Sequence, residues 1–269
     1  MVTDSVLFAF GITMLAGLST GLGGVIAFFA KKTEPRFLSA ALGFSAGVMI
    51  YLSLVDIFPK AKDSLIPALG PSMGYIVTTI SFFGGILLIA IIDKLVPSYE
   101  NPHEPIPIEY RECKDEGYKK SLFRLGVFST LAISIHNFPE GLATFTGALK
   151  DSKIGVSIAV AIAIHNIPEG IAVSIPIFYA TGKKWKAIAF SFLSGLSEPL
   201  GALIGFLLLR NLFNDLTFGI LFASVAGIMT YISLDELLPT AEKYGEHHVA
   251  IYGLIAGMAV MGFSLILFA

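Results

Sequence analysis

The residues best suited to chemistry in this sequence form two copies of one motif, His-Asn-x-Pro-Glu-Gly, at 136–141 and 165–170. In each copy the histidine and the glutamate are four residues apart, so both side chains lie on one face of a helix. The asparagine beside the histidine adds an amide oxygen on the adjacent face. Each copy can therefore direct an imidazole nitrogen and a carboxylate to one point.

Two other positions in each motif, and one residue outside them, also suit a coordination site. The proline has no N–H, so it frees the carbonyl four residues earlier, and the closing glycine permits a second helix to approach closely. A third carboxylate, Glu198, lies near the middle of a later apolar run. The candidate metal ligands are therefore His136, Asn137, Glu140, His165, Asn166, Glu169 and Glu198.

The donor set indicates which cation would bind. Mixed nitrogen and oxygen ligands without a thiolate favour Zn²⁺, Fe²⁺, Mn²⁺, Co²⁺ or Cd²⁺ over Cu⁺, whereas Ca²⁺ and Mg²⁺ prefer oxygen-only shells. No basic residue near the motifs balances the three carboxylates, so a bound cation would supply the counter-charge. The sequence shows no activated nucleophile, His-Glu-x-x-His motif or cofactor loop, so we predict no catalytic residue and no cofactor beyond the metal.

The elements that carry these residues are predicted to be membrane helices. The 269-residue chain is 55% hydrophobic and 14% charged, whereas soluble domains carry about 25% charged residues. A bilayer core requires about 20 apolar residues per helix. Continuous apolar runs of this kind indicate an all-α integral membrane protein of eight helices, at about 5–29, 38–58, 72–93, 122–147, 154–181, 187–210, 216–236 and 248–268.

The distribution of basic residues predicts the orientation of these helices. Thirteen of the 18 Lys and Arg residues lie on the side opposite the two termini, and the positive-inside rule makes that side cytoplasmic. Both termini are then outside, and the loop at about 94–121, which contains the single cysteine Cys113, is cytoplasmic. We expect residues 1–269 to form one transmembrane domain with the lipid bilayer and metal ions as partners. The net charge of −2 gives no indication of nucleic-acid binding.

The chain also contains an internal repeat. Residues 17–23 of predicted helix 1 match 195–201 of helix 6, and residues 46–54 of helix 2 match 226–234 of helix 7. Helices 1 and 6 are five segments apart, so they cross the membrane in opposite directions. This predicts an inverted repeat of helices 1–3 and 6–8 around a central pair of helices 4 and 5, an arrangement typical of secondary transporters with a site at mid-membrane.

At these motifs the sequence resembles a known family. The two His-Asn-x-Pro-Glu-Gly copies and Ser-Glu-Pro-Leu-Gly at 197–201 are similar to the signatures of the ZIP (Zrt/Irt-like) divalent metal transporters, most closely to the bacterial ZupT-like branch. The resemblance covers essentially the whole chain. It implies uptake of zinc, and also of iron or other divalent metals, into the cytoplasm across the cell (inner) membrane, and it makes a homodimer an expectation.

The resemblance also implies a binuclear centre bridged by Glu140 and Glu169. These two residues with His136 and His165 would hold one metal, and with Asn137, Asn166 and Glu198 they would hold the second. Two other functions remain open from the residues alone. One is a membrane-embedded di-metal enzyme, although such enzymes use Glu-x-x-His rather than His-x-x-x-Glu. The other is a metal sensor, against which the repeat argues.

Overall fold

The computed structural model describes residues 2–28, 35–95, 116–209, 214–244 and 247–268. Within these ranges the chain contains helices and short turns and no strand, as predicted. The helices, numbered in chain order, are α1 (Val2–Ile26), α2 (Pro35–Tyr51, Leu52–Ile57 and Phe58–Leu69), α3 (Pro71–Leu95), α4 (Glu116–Lys150), α5 (Ser152–Thr181), α6 (Lys184–Gly195 and Ser197–Leu209), α7 (Asp215–Ile232, Ser233–Leu237 and Leu238–Tyr244) and α8 (His247–Phe268).

Seven of these helices, counted over the described residues, are long and apolar enough to cross a membrane. The predicted fourth run, 122–147, lies within α4, several of whose side chains fall outside the described set. The all-helical membrane fold is therefore as predicted, while the count of eight spans stays a prediction. The loop predicted at 94–121 is shorter than expected, because α3 continues to Leu95 and α4 begins at Glu116. The rest of that loop, including Cys113, lies outside the described residues.

Helices α4 and α5 form an antiparallel hairpin around Asp151. The Asp151 side chain accepts a hydrogen bond from the Lys153 N–H at 2.7 Å, which caps the first turn of α5. Beyond this turn Gly155 packs against Ala148 and Gly147 packs against Ile158. Pairs of residues equally far from the turn therefore meet, and this register brings the two His-Asn-x-Pro-Glu-Gly motifs opposite each other.

Helices α2 and α7 each contain a π-helical turn immediately before a proline. In α2 the Phe58 N–H bonds the carbonyl of Ser53, five residues back, and Leu238 bonds Ser233 in the same way in α7. The predicted end of helix 2 at residue 58 is therefore wrong, because the helix continues through Pro59 to Leu69. The wider turn changes the hydrogen-bond register just where the proline offers no N–H, so the helix does not have to stop.

Glycines set the closest helix contacts. A Cβ atom built on these glycines would collide with a main-chain carbonyl of the facing helix, so their helices touch backbone to backbone. In this way α2 packs on α8 and α3 packs on α7. The contacts are Gly47 with Leu254 and Gly257 with Phe44 in the first pair, and Gly227 with Phe82 and Gly85 with Ser224 in the second.

The main apolar core packs around the α4–α5 hairpin and draws residues from α1, α2, α4, α5, α7 and α8. Met49, Ile158, Ile162 and Phe222 are among its fully buried side chains. This core separates the two motifs from lipid, and the polar groups described below are therefore held in a low-dielectric interior.

Neighbouring glycines on α3 provide a test of the backbone contacts. Gly85→Ala should destabilise the protein by about 1–3 kcal/mol, the usual cost of overpacking, because its Cβ would meet the Ser224 carbonyl. The unfolding temperature in detergent should fall accordingly.

Gly84→Ala is the matched control, since a Cβ at Gly84 has nothing within 4 Å among the described residues. It should leave the unfolding temperature unchanged or raise it slightly, because alanine is the better helix former. Equal effects of the two substitutions would contradict the close packing of α3 on α7.

Candidate metal centre

The candidate ligands are buried together in the interior of the helix bundle. Six of the seven have no exposed surface at all: Asn137, Glu140, His165, Asn166, Glu169 and Glu198. The seventh, His136, lies in α4, but its side chain is outside the described set. No Lys or Arg is fully buried among the described residues. Buried carboxylates without a buried basic partner are costly unless a cation or a proton compensates them.

His165 and Glu140 join the two motifs directly. His165 Nε2 lies 3.1 Å and 3.2 Å from the two carboxylate oxygens of Glu140. The other ring nitrogen, Nδ1, lies 3.1 Å from the Ala161 carbonyl, so it must carry a hydrogen and donate it. A metal ion that bound Nε2 and the carboxylate would have to replace this direct contact.

Glu198 approaches the hairpin from α6, just after that helix breaks. The break is at Leu196, which separates Lys184–Gly195 from Ser197–Leu209, and Pro199 removes the next N–H from the ladder. The Asn166 amide donates to Glu198 Oε1 and, at 3.1 Å, to the Ala16 carbonyl of α1. The carboxylate of Glu198 is also close enough to those of Glu140 and Glu169 to interact electrostatically with them.

Several buried oxygen atoms in this region have no hydrogen-bond partner among the described residues. They are Asn137 Oδ1, Asn166 Oδ1 and Glu198 Oε2. The amide nitrogen of Asn137 contacts the Ser194 carbonyl at 3.4 Å, so both asparagines direct their N–H groups to main-chain carbonyls. Their oxygens are left as acceptors, and buried acceptors normally have a donor or a cation as partner.

The motif glycines permit this arrangement, as predicted. A Cβ on Gly141 would collide with the Glu198 carbonyl, and one on Gly170 would collide with the Thr20 carbonyl. Each motif helix is thus in backbone contact with a second helix, α6 in one case and α1 in the other. These contacts place the motifs of α4 and α5 beside α6 and α1 in one buried region.

Sequence reasoning missed two serines of neighbouring helices that hydrogen-bond to the main chain of α5. Ser45 of α2 donates to the His165 carbonyl at 3.3 Å, and Ser191 of α6 donates to the Gly170 carbonyl at 2.8 Å. Small hydroxyl residues within apolar runs are the only sequence signal for them. That signal is weak, because most such hydroxyls bond their own helix.

The described side chains do not form a complete coordination shell as they stand. No three His, Cys, Asp or Glu side chains within the described set converge closely enough to hold a metal ion. Instead Glu140 bonds His165 and Glu198 bonds Asn166, so candidate ligands satisfy one another. The structure therefore brings six of the predicted residues into one buried region, and their coordination of a metal stays a prediction.

Comparison with known proteins gives full-length relatives. The family described as ZIP zinc transporter matches residues 93–265. A protein named zinc transporter ZupT from Clostridium perfringens is 60% identical over 98% of this chain and 97% of its own length. Proteins of the same name from Chlorobaculum parvum and Nitratidesulfovibrio vulgaris are 62% and 58% identical, over 99% and 100% of both chains.

Glu198→Gln tests whether the centre binds zinc. Zinc at 100 times its dissociation constant would stabilise the native protein by about 2.7 kcal/mol. The introduced glutamine would retain a hydrogen bond to Asn166, but the centre would lose a charged ligand. The variant should therefore be at least as stable without zinc and should lose most of the zinc-induced rise in unfolding temperature.

Asp215→Asn is the control for this measurement. It makes the same chemical change at a side chain that is 69% exposed, in a surface pair with Lys150, and it should keep the zinc response. A zinc response of Glu198→Gln equal to that of the unsubstituted protein would remove Glu198 from the ligand set.

Proposed function

Because the chain belongs to the ZIP zinc transporter family, we propose that it carries zinc into the cytoplasm through the centre on α4, α5 and α6. As a member of this family it is a multi-pass membrane transporter and not an enzyme. The same donor set extends the proposal to Fe²⁺, Mn²⁺, Co²⁺ and Cd²⁺ as further substrates. A metal sensor and a di-metal enzyme are no longer needed to account for the site.

One observation carries this proposal, namely the complete burial of three carboxylates and an imidazole at one place between membrane helices. Glu140, Glu169, Glu198 and His165 have no exposed surface. Ionisable groups at the bilayer centre persist when they pair with one another or act on a substrate. A divalent cation would add positive charge to a buried region that holds three carboxylates, one of which already contacts the imidazole of His165. We therefore propose His136, Asn137, Glu140, His165, Asn166, Glu169 and Glu198 as its ligands.

Close contacts that recur in pairs support the proposed inverted repeat. The repeat equates Gly47 of α2 with Gly227 of α7; the first contacts α8 and the second contacts α3. It equates Gly17 with Gly195, and a Cβ on either one would meet the carbonyl of the other. Such mutual contact is expected of equivalent residues that lie on a two-fold axis.

The proposed inverted repeat also relates the two π-helical turns to each other and the two motifs to each other. The π-helical turns Leu52–Ile57 and Ser233–Leu237 lie at equivalent positions of α2 and α7. Gly141 meets Glu198, and the equivalent Gly170 meets Thr20. These pairs support helices 1–3 and 6–8 as inverted halves around a central α4–α5 pair, with eight spans in a single domain.

The transport cycle we propose begins with a hydrated metal ion that enters from outside. The ion exchanges its water for the carboxylate, amide and imidazole donors and replaces the direct contact between His165 and Glu140. The two halves of the bundle then rearrange around the fixed hairpin and open the centre to the cytoplasm. Both termini lie outside in this proposal, and two chains associate as a homodimer.

Zinc uptake into proteoliposomes tests the function directly. The unsubstituted protein should take up Zn²⁺, while Glu169→Ala or the double variant His136→Ala, Glu140→Ala should show only the leak of protein-free liposomes, because the cation loses its ligands. Cys113→Ser should transport normally. Normal flux in a well-folded Glu169→Ala variant would contradict the proposed site, and no flux of any divalent metal in the unsubstituted protein would contradict the function.

The single cysteine of the chain provides a test of topology. A membrane-impermeant maleimide should label Cys113 in inverted membrane vesicles and not in intact cells, because the proposed loop is cytoplasmic. The reciprocal control is Cys113→Ser combined with Ala269→Cys, which should be labelled from outside. Labelling of Cys113 in intact cells would reverse the proposed orientation.

A further inference from the structure

Thr20, on α1, has a hydroxyl group that departs from the pattern of most buried helical threonines; Thr144 of α4 is the other exception among the described residues. Its side chain is fully buried, and Oγ1 has no hydrogen-bond partner among the described residues. Threonines within helices usually donate to the carbonyl four residues earlier. Thr13 does so to Ala9 at 2.8 Å, and Thr230 does so to Ala226 at 2.7 Å.

Thr20 lacks a hydrogen-bond partner within the described set because other donors compete for the carbonyl oxygen that it would use. The acceptor that Thr20 would use is the carbonyl of Ala16. That oxygen already accepts from the Ser19 hydroxyl at 2.6 Å and from the Asn166 amide at 3.1 Å. A carbonyl oxygen has two lone pairs, and the helical N–H, the Ser19 hydroxyl and the Asn166 amide already share them. The Thr20 hydroxyl is left with its own lone pairs available in a buried, polar region.

The position of Thr20 relates it to the metal centre. Its carbonyl packs on Gly170 as that of Glu198 packs on Gly141, so Thr20 is the counterpart of Glu198 in the other half of the repeat. Glu198 contacts Asn166 through its side chain. The repeat equates Glu198 with Thr20 and Asn166 with Asn137, so the counterpart of the Glu198–Asn166 pair is Thr20 with Asn137. The Asn137 Oδ1 atom is likewise buried without a described partner.

Direct contacts also bring Thr20 and Asn137 to one turn of α6. A Cβ on Gly195 would lie 3.1 Å from the Cβ of Thr20. The preceding residue, Ser194, accepts the weak hydrogen bond from the Asn137 amide. Thr20 and Asn137 thus both pack against the same α6 backbone segment.

We propose that the Thr20 hydroxyl is an oxygen ligand of the metal centre and adjusts its selectivity. This inference rests on the proposed function and extends it. With Asn137 Oδ1, Asn166 Oδ1 and Glu198 Oε2, it adds to the oxygen-only side of the proposed centre, to which the bridging Glu140 and Glu169 also contribute, whereas the His165 side contains nitrogen. Oxygen donors favour harder cations such as Mn²⁺, while imidazole suits Zn²⁺. Removing the hydroxyl therefore weakens the binding of Mn²⁺ more than the binding of Zn²⁺.

Thr20→Val and Thr20→Ser separate the oxygen atom from the volume of the side chain. Thr20→Val keeps the shape and removes the oxygen, so the apparent KM for Mn²⁺ should rise about tenfold, the loss of one good contact, with a smaller change for Zn²⁺. Thr20→Ser should behave as the unsubstituted protein. The control is Thr13→Val, the same change at a buried threonine of α1 whose hydroxyl bonds its own helix, and it should leave both KM values unchanged.

A sulfur substitution gives a readout that a structural role would not move. Thr20→Cys in a Cys113→Ser background replaces a hard donor by a soft one at similar size. The ratio of Cd²⁺ to Mn²⁺ uptake should then rise, because thiolate selects the softer ion. This variant also decides the question if Thr20→Val fails to assemble.

The results distinguish this inference from the proposed function. An unsubstituted protein that moves neither Zn²⁺ nor Mn²⁺ would overturn both. Normal transport in the unsubstituted protein, together with an unchanged Mn²⁺ KM in Thr20→Val or an unchanged Cd²⁺ to Mn²⁺ ratio in Thr20→Cys, would overturn the role of Thr20 alone.

Discussion

The structure depends on keeping three carboxylates in a place that neither water nor lipid reaches. Glu140, Glu169 and Glu198 are fully buried, and burying a charge costs several kcal/mol unless a partner compensates it. The helices must therefore supply compensating hydrogen bonds from within, and in the proposed function they also leave donor atoms for a cation. The His165–Glu140 contact and the bond from the Asn166 amide to Glu198 are two such interactions among the described residues.

That requirement explains why small residues occupy so many contacts. Carboxylates on α4, α5 and α6 can approach one another only if the helices that carry them come into backbone contact. Gly141 and Gly170 permit this at the centre, and Gly17 and Gly195 permit it between α1 and α6. A side chain larger than hydrogen at any of these positions would separate the helices, and the donor atoms with them. The glycines are thus part of the site's geometry although they supply no ligand.

The sequence predicted the helical membrane fold and the candidate ligands, because apolar run length and motif spacing are local properties. It could not predict that α2 continues through Pro59, since the outcome depends on a π-helical turn that the facing helices stabilise. It also could not predict that the Asn166 amide takes the Ala16 carbonyl and so deprives Thr20 of its usual acceptor. Such competition between residues distant in sequence becomes visible only when the helices are packed.

The proposed repeat would place an asymmetric site within a symmetric scaffold, which has a consequence for transport. In the proposed centre one half offers the carboxylate of Glu198 and the other offers the neutral hydroxyl of Thr20. A second carboxylate there would add a buried charge and would strengthen the hold on a divalent cation. Conduction requires binding that is favourable enough to remove water from the ion yet weak enough to release it. Under the proposed roles, a neutral donor at this position would keep the centre within those limits, so the difference between the halves would favour turnover over retention of the metal.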